Sequence, residues 1–104
     1  MDAFWRPLYA AGVDVIVNGH DHDYERFGPQ DPAGREDKAR GVREFVVGTG
    51  GAVLRDFPTV AAHSEVRIAK TLGVIRFVLH PTSYEWSFIE TSGEVGDSGN
   101  GACH

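Results

Sequence analysis

The chain has 104 residues, a formal net charge of −5 and 41% hydrophobic residues. This length accommodates one small domain, so we assign residues 1–104 to a single domain. The acidic charge argues against a nucleic-acid-binding surface and against a polybasic membrane-surface segment. No apolar stretch is long enough to span a bilayer. The N-terminus lacks the basic start and apolar run of a signal peptide, so the targeting signal of a secreted or periplasmic parent protein would lie outside this chain.

The first half of the sequence predicts a helix followed by a buried strand. Residues 2–11 carry apolar side chains at helical spacing, and Gly12 is placed to end the helix. Residues 13–18 form an apolar run rich in β-branched side chains, which predicts a buried strand. A helix, a glycine turn and a buried strand are typical of an α/β unit in which helices cover a sheet. Residues 28–41 contain prolines, glycines and many charges and predict a long surface loop.

The second half predicts mainly β-structure. Residues 43–47 and 65–69 have the composition of strands. Residues 73–80 and 84–88 alternate in polarity on either side of a Pro-Thr-Ser turn, which predicts a hairpin. The tail from Ser92 is rich in glycine and serine, and we expect it to be ordered only by contacts with other parts of the chain.

A His-x-His pair at the end of the first predicted strand is the main candidate for chemistry. In extended backbone the side chains of His20 and His22 project to the same side, with Cα atoms about 6–7 Å apart. The two ions of a hydrolytic metal pair lie roughly 3.5–4 Å apart. Each imidazole could therefore bind one ion, or both could bind a single ion. Paired histidines also occur on ordinary surfaces, so that alternative stays open.

Charged residues surround the two histidines. In extended backbone Asp21 and Asp23 would face away from the imidazoles. We expect Asp23 to be solvated, whereas Asp21 is either solvated or hydrogen-bonded to an imidazole. For Glu25 and Arg26 we expect an ion pair that anchors the loop.

The string GHDHDYER at residues 19–26 resembles the closing metal motif of purple acid phosphatases and related calcineurin-like metallophosphoesterases. That motif reads Gly-His-x-His, often followed by x-Tyr-Glu-Arg, and each histidine binds a different metal of a pair. The resemblance implies that His20 and His22 are ligands to two divalent or trivalent ions, for which iron, zinc and manganese are all suitable. The preceding strand, the glycine-rich residues 48–51 and the β-rich end resemble the same region of bacterial members.

The resemblance also implies what surrounds the motif. The family fold is a two-sheet β-sandwich flanked by helices, an α/β or α+β architecture of which this chain would supply the C-terminal portion. The earlier motifs of the family, which carry aspartates, an Asn-His pair and a further histidine, do not occur in this sequence. We therefore expect a fragment of a metal-dependent phosphoesterase that acts on a phosphate ester. It would need the N-terminal part of the same domain as its partner and would be inactive alone.

Several alternatives stay open. The chain could instead be a non-catalytic β-rich interaction module, with the aromatic face of Tyr84, Trp86 and Phe88 as its partner surface, although ordinary core is the favoured interpretation of that face. It could also be a degenerate remnant that binds no metal. The glycines of residues 48–51 indicate either a loop near an active site or a tight strand-to-loop connection, which sequence alone favours. Cys103 is either half of a disulfide with a missing partner or a free thiol.

Overall fold

The computed structural model describes residues 2–57 and 59–104. The described residues form a β-rich α+β fold with one short helix and seven strands. The elements are α1 (Asp2–Ala10), β1 (Val15–Asn18), β2 (Tyr24–Phe27), β3 (Arg43–Val47), β4 (Ser64–Ile68), β5 (Gly73–Leu79), β6 (Ser83–Glu90) and β7 (Val95–Ala102).

The strands form two sheets. The first sheet has the order β1-β3-β2-β4, in which β1 and β3 are parallel and the other neighbours are antiparallel. The second sheet is an antiparallel meander with the order β5-β6-β7. In the first sheet β3 lies between β1 and β2, so the chain that joins β1 to β2 has to cross the end of β3. That crossing consists of residues 19–23 and contains both histidines.

Aromatic side chains from both sheets form the core. Tyr24 of β2 stacks on Phe88 of β6 with ring centroids 4.2 Å apart, and Phe45 of β3 meets the edge of Trp86 at 5.3 Å. Tyr84 belongs to the same buried cluster. The aromatic face of β6 is therefore ordinary core, which is the interpretation that the sequence favoured. The alternative prediction, that this face is a surface for a partner, is wrong. This face packs on the first sheet of this same chain.

Most of the predicted elements are confirmed to within two or three residues at each end, including the hairpin of β5 and β6. The predicted burial of the first strand is wrong, because β1 is only partly buried and Val17 is 48% exposed. Two strands were not predicted. The first is β2, which is short and carries two charged residues. The second is β7, which forms within the glycine-rich tail and places Gly99 opposite Trp86. A Cβ at Gly99 would come within 2.9 Å of Trp86 Cη2, so the indole ring needs glycine there.

The helix is fixed to the long loop that precedes β3. Trp5 is buried, and its Nε1 donates a hydrogen bond of 3.3 Å to the carbonyl of Gln30. The Tyr9 hydroxyl donates to Asp37 Oδ2 at 2.6 Å. The predicted surface loop is therefore held in place by α1. Within the residues that the structure describes, no helix combines the length and apolarity needed to cross a membrane.

Candidate metal centre

The histidine segment is a turn that passes over the C-terminal end of β3. Asn18, the last residue of β1, is aligned with Val46, and Tyr24, the first residue of β2, is aligned with Val47. Residues 19–23 must therefore reverse the chain direction within a short distance, and the Asp23 amide donates to the Asp21 carbonyl at 2.9 Å. The extended backbone predicted for the two histidines is wrong, because the order of the strands imposes a turn.

Gly48 allows this turn to lie directly against β3. A Cβ at Gly48 would lie 2.7 Å from the Asp21 carbonyl carbon, closer still to its oxygen, and 3.2 Å from His22 Cα. All three atoms are backbone and cannot rotate away. The Gly48 amide also donates to the Asp23 carbonyl at 2.9 Å. The glycine-rich residues 48–51 thus begin in contact with the predicted site, and the two interpretations of these glycines stay open.

The residues that follow these glycines bond to His22. Nδ1 of its ring lies 2.8 Å from the Val53 carbonyl oxygen, and the Arg55 amide donates to the His22 carbonyl at 2.8 Å. A carbonyl oxygen only accepts hydrogen bonds, so Nδ1 carries the hydrogen and the neutral ring has its lone pair on Nε2. A ring nitrogen bonded to a backbone carbonyl in this way is typical of metal-binding histidines.

His20 is held differently. Its side chain is exposed, and its backbone has a φ of 77°, in the left-handed region that few residues other than glycine adopt. Such a conformation costs roughly 1–2 kcal/mol, and strain of this kind is found preferentially at functional sites. His20 lines an open cleft of about 580 Å³ together with the acidic residues Asp21, Glu25 and Glu44. The structure brings both histidines to the same end of β1, with His20 on the cleft and His22 bonded to Val53.

The expectation that Asp23 is solvated is wrong, because the turn over β3 replaces the extended backbone on which it was based. Asp23 is buried, and its Oδ1 has no hydrogen-bond partner among the described residues. Burial raises the pKa of Asp23 to about 6, the negative charges of Asp21 and Glu25 add to this shift, and His22 opposes it. Asp21 is exposed on the cleft.

Tyr24 and Arg26, which follow the histidines, converge on one carboxylate of the other sheet. Asp97 on β7 accepts hydrogen bonds from the Tyr24 hydroxyl at 2.6 Å, from Arg26 Nε at 2.9 Å and from Trp86 Nε1 at 3.2 Å. Burial raises the pKa of Asp97, but the hydrogen bonds from Arg26 and Tyr24 outweigh it, so the net pKa is lowered. No sequence signal in the glycine-rich tail marks Asp97. This carboxylate ties the strand after the histidines to the second sheet.

The predicted ion pair between Glu25 and Arg26 is wrong. Neighbouring residues on a strand point to opposite faces of the sheet, so the two side chains separate. Arg26 pairs with Asp97 and with Glu65, whereas Glu25 accepts a hydrogen bond from the Ser64 hydroxyl. Both residues still anchor β2, each through a partner from a distant part of the chain.

The described side chains supply individual metal-binding atoms but no complete ligand set. Among residues 2–57 and 59–104, no group of three or more His, Cys, Asp or Glu side chains is arranged to hold a metal ion. His22 nevertheless offers a free Nε2, and Asp23 has a buried carboxylate oxygen without a partner. Iron, zinc and manganese accept such nitrogen and oxygen donors. Cys103 is a free, exposed thiol.

No family model matches the chain, and a search of curated proteins also finds no match. The metallophosphoesterase hypothesis therefore rests on the resemblance of residues 19–26 and on the hydrogen bond of the His22 ring, which leaves Nε2 free.

Proposed function

We propose that the chain contributes His20 and His22 as metal ligands to the two-metal centre of a phosphoesterase, a phosphatase-like hydrolase. In this proposal the chain is the C-terminal portion of a metallophosphoesterase-type β-sandwich, and the N-terminal portion of the same domain supplies the remaining ligands. The observation that supports it best is the hydrogen bond of His22 Nδ1 to the Val53 carbonyl, which leaves Nε2 free.

The charge of the cleft agrees with a metal-dependent site. The acidic residues Asp21, Glu25 and Glu44 line it with His20, and carboxylates alone would repel a phosphate ester. Bound cations would reverse the local charge. When bound, two such ions would polarise the phosphoryl oxygens and lower the pKa of a coordinated water. They would also stabilise the displacement of the leaving group from phosphorus by that water. The role of the histidines is to hold them through neutral imidazoles.

The strand after the histidines contributes rigidity to the site. Tyr24 and Arg26 lie two and four residues after His22, and both fix β2 to Asp97 of the second sheet. A ligand whose backbone is fixed on both sides loses little conformational freedom when it binds an ion. The Tyr-Glu-Arg part of the motif therefore acts in this proposal as a support for the His-x-His part.

A zinc titration of the chain tests the ligand assignment. Calorimetry should detect Zn²⁺ binding to the wild-type chain, and His22→Ala and His20→Gly should each weaken it by at least about tenfold. Glycine is chosen at position 20 because it adopts the left-handed backbone without strain. His63→Gly is the matched control, since His63 is also exposed with a positive φ of 64° and should leave binding unchanged. Equal affinity in all four proteins would refute the assignment. It would support the alternatives that the two histidines are ordinary surface residues or that the chain is a degenerate remnant that binds no metal.

A phosphatase assay tests the reaction. With p-nitrophenyl phosphate and Zn²⁺ or Mn²⁺, we expect no turnover by the 104-residue chain, because its two ligands do not complete a pair of metal sites. A longer protein in which an N-terminal portion precedes the chain should be active, and His20→Gly or His22→Ala in it should abolish turnover. Turnover by the short chain would contradict the predicted dependence on missing ligands. Failure of the metal-loaded longer protein would refute the phosphoesterase proposal.

A further inference from the structure

We infer that residues 48–55, the clamp segment, are the positioning element of His22. The clamp segment fixes the backbone of His22 and selects the ring tautomer with hydrogen on Nδ1, so that Nε2 is the nitrogen presented for binding. This inference deepens the proposed function and rests on it, because the proposed function assigns Nε2 of His22 to a metal ion.

The clamp segment holds the histidine turn through three hydrogen bonds. At its start, the Gly48 amide donates to the Asp23 carbonyl at 2.9 Å. At its end, the Arg55 amide donates to the His22 carbonyl at 2.8 Å. Between them, the Val53 carbonyl accepts from Nδ1 of His22 at 2.8 Å. Both the backbone and the ring of His22 are thus bonded to one continuous segment.

The contacts involve the backbone of the clamp segment and not its side chains. Val53 is 83% exposed, and Arg55 is also exposed, so neither contributes much to a core. Their carbonyl and amide groups nevertheless point to His22. An exposed loop that bonds to a histidine through its backbone acts by orienting that histidine. By contrast, no hydrogen bond holds the His20 ring within the described part of the chain.

The tautomer of His22 can be measured directly by ¹⁵N NMR of the metal-free chain. At about pH 8.5, where an ordinary histidine is neutral, we expect His22 to carry its hydrogen on Nδ1. Arg55→Pro removes the amide that donates to His22 and should shift the ring toward a mixture of tautomers. Arg55→Ala keeps the amide, removes the same side chain and is the matched control. We expect it to retain the wild-type spectrum.

The zinc affinity of the same proteins gives a second measurement. Arg55→Pro should weaken Zn²⁺ binding by roughly tenfold, in line with the effect of removing partners that orient a ligand, and Arg55→Ala should not change it. If His22 of the wild-type chain carries its hydrogen on Nε2, the inference is overturned, even if Arg55→Pro does not fold. If a folded Arg55→Pro chain retains both the tautomer and the zinc affinity, the inference is also overturned. If the wild-type chain has the Nδ1–H tautomer and Arg55→Pro loses it, the positioning role of the clamp segment is supported, whether or not zinc binds. A failure of the wild-type chain to bind zinc would refute only the proposed function.

Discussion

Replacement of Asp97 by alanine should remove about 3 kcal/mol from the free energy of unfolding. Its carboxylate accepts hydrogen bonds from Tyr24, Trp86 and Arg26, and the side chains of Arg26 and Asp97 are only 15% and 7% exposed. Removal of one partner from a buried ion pair costs roughly 3–5 kcal/mol, because it leaves the other charge unpaired. Glu65 still contacts Arg26 in the variant, so we expect the lower end of this range.

Two further variants make the test specific. Asp97→Asn keeps an acceptor for Tyr24 but loses the charge, so it should cost about half as much, roughly 1.5 kcal/mol. Glu94→Ala removes the same charge from an exposed residue just before β7 and should change stability by less than about 0.5 kcal/mol. Urea unfolding followed by tryptophan fluorescence measures all three. If Asp97→Ala is as stable as Glu94→Ala, the anchoring role of this carboxylate is refuted.

Three other predictions concern pH, the turn and the core. The folded chain lowers the pKa of Asp97 below its usual 3.8, so the stabilisation is complete above about pH 4 and is lost as pH falls through the folded pKa. The stability gap between the wild-type chain and Asp97→Asn in urea should therefore narrow below pH 4, and a constant gap would contradict this. Gly48→Ala should cost about 2–3 kcal/mol and lower Tm by roughly 8 °C or more, because its Cβ meets the backbone of the histidine turn. Gly50→Ala, with open space around its Cβ, is the control, and equal Tm values would be inconsistent with the close approach at Gly48. Phe88→Ala, at a fully buried position, should cost about 3–5 kcal/mol, whereas Leu79→Ala, at a position 78% exposed, should cost less than about 1 kcal/mol in the same urea assay. Similar losses for both would argue against the described core.

The sequence predicted those strands whose pattern of apolar and polar side chains matches their burial in the sheets. β3 and the hairpin of β5 and β6 have apolar or alternating side chains and were located to within two residues. β2 and β7 were missed because partners distant in sequence stabilise them. In β2, the positive charge of Arg26 is paired with the carboxylate of Asp97. The glycines of β7 lie opposite aromatic side chains of β6, on which this strand depends. A window of neighbouring residues contains neither partner, so local pattern could not predict these strands.

At the candidate site, sequence identified the two histidines but not their arrangement. The assumption of extended backbone is wrong for residues 19–23, and the turn over β3 buries Asp23, which was expected to be solvated. Local sequence could not predict the contacts that backbone atoms make. Val53 bonds to His22 through a carbonyl, which every residue has, and Arg55 bonds to it through an amide, which every residue but proline has. Among these contacts, only the one at Gly48 could be anticipated from the residue type, because glycine allows two backbone segments to approach closely.

The order of the strands explains why the histidines, the glycine and the clamp segment occur together. Because β3 lies between β1 and β2, the histidine turn must cross over the C-terminal end of β3, where Gly48 begins the next segment. The chain that leaves β3 therefore starts against the turn and continues to Val53 and Arg55, which bond to His22. A change in the length of either segment would displace the other. The site is thus a consequence of the topology of the first sheet, and Asp97 holds that sheet against the second through Tyr24 and Arg26.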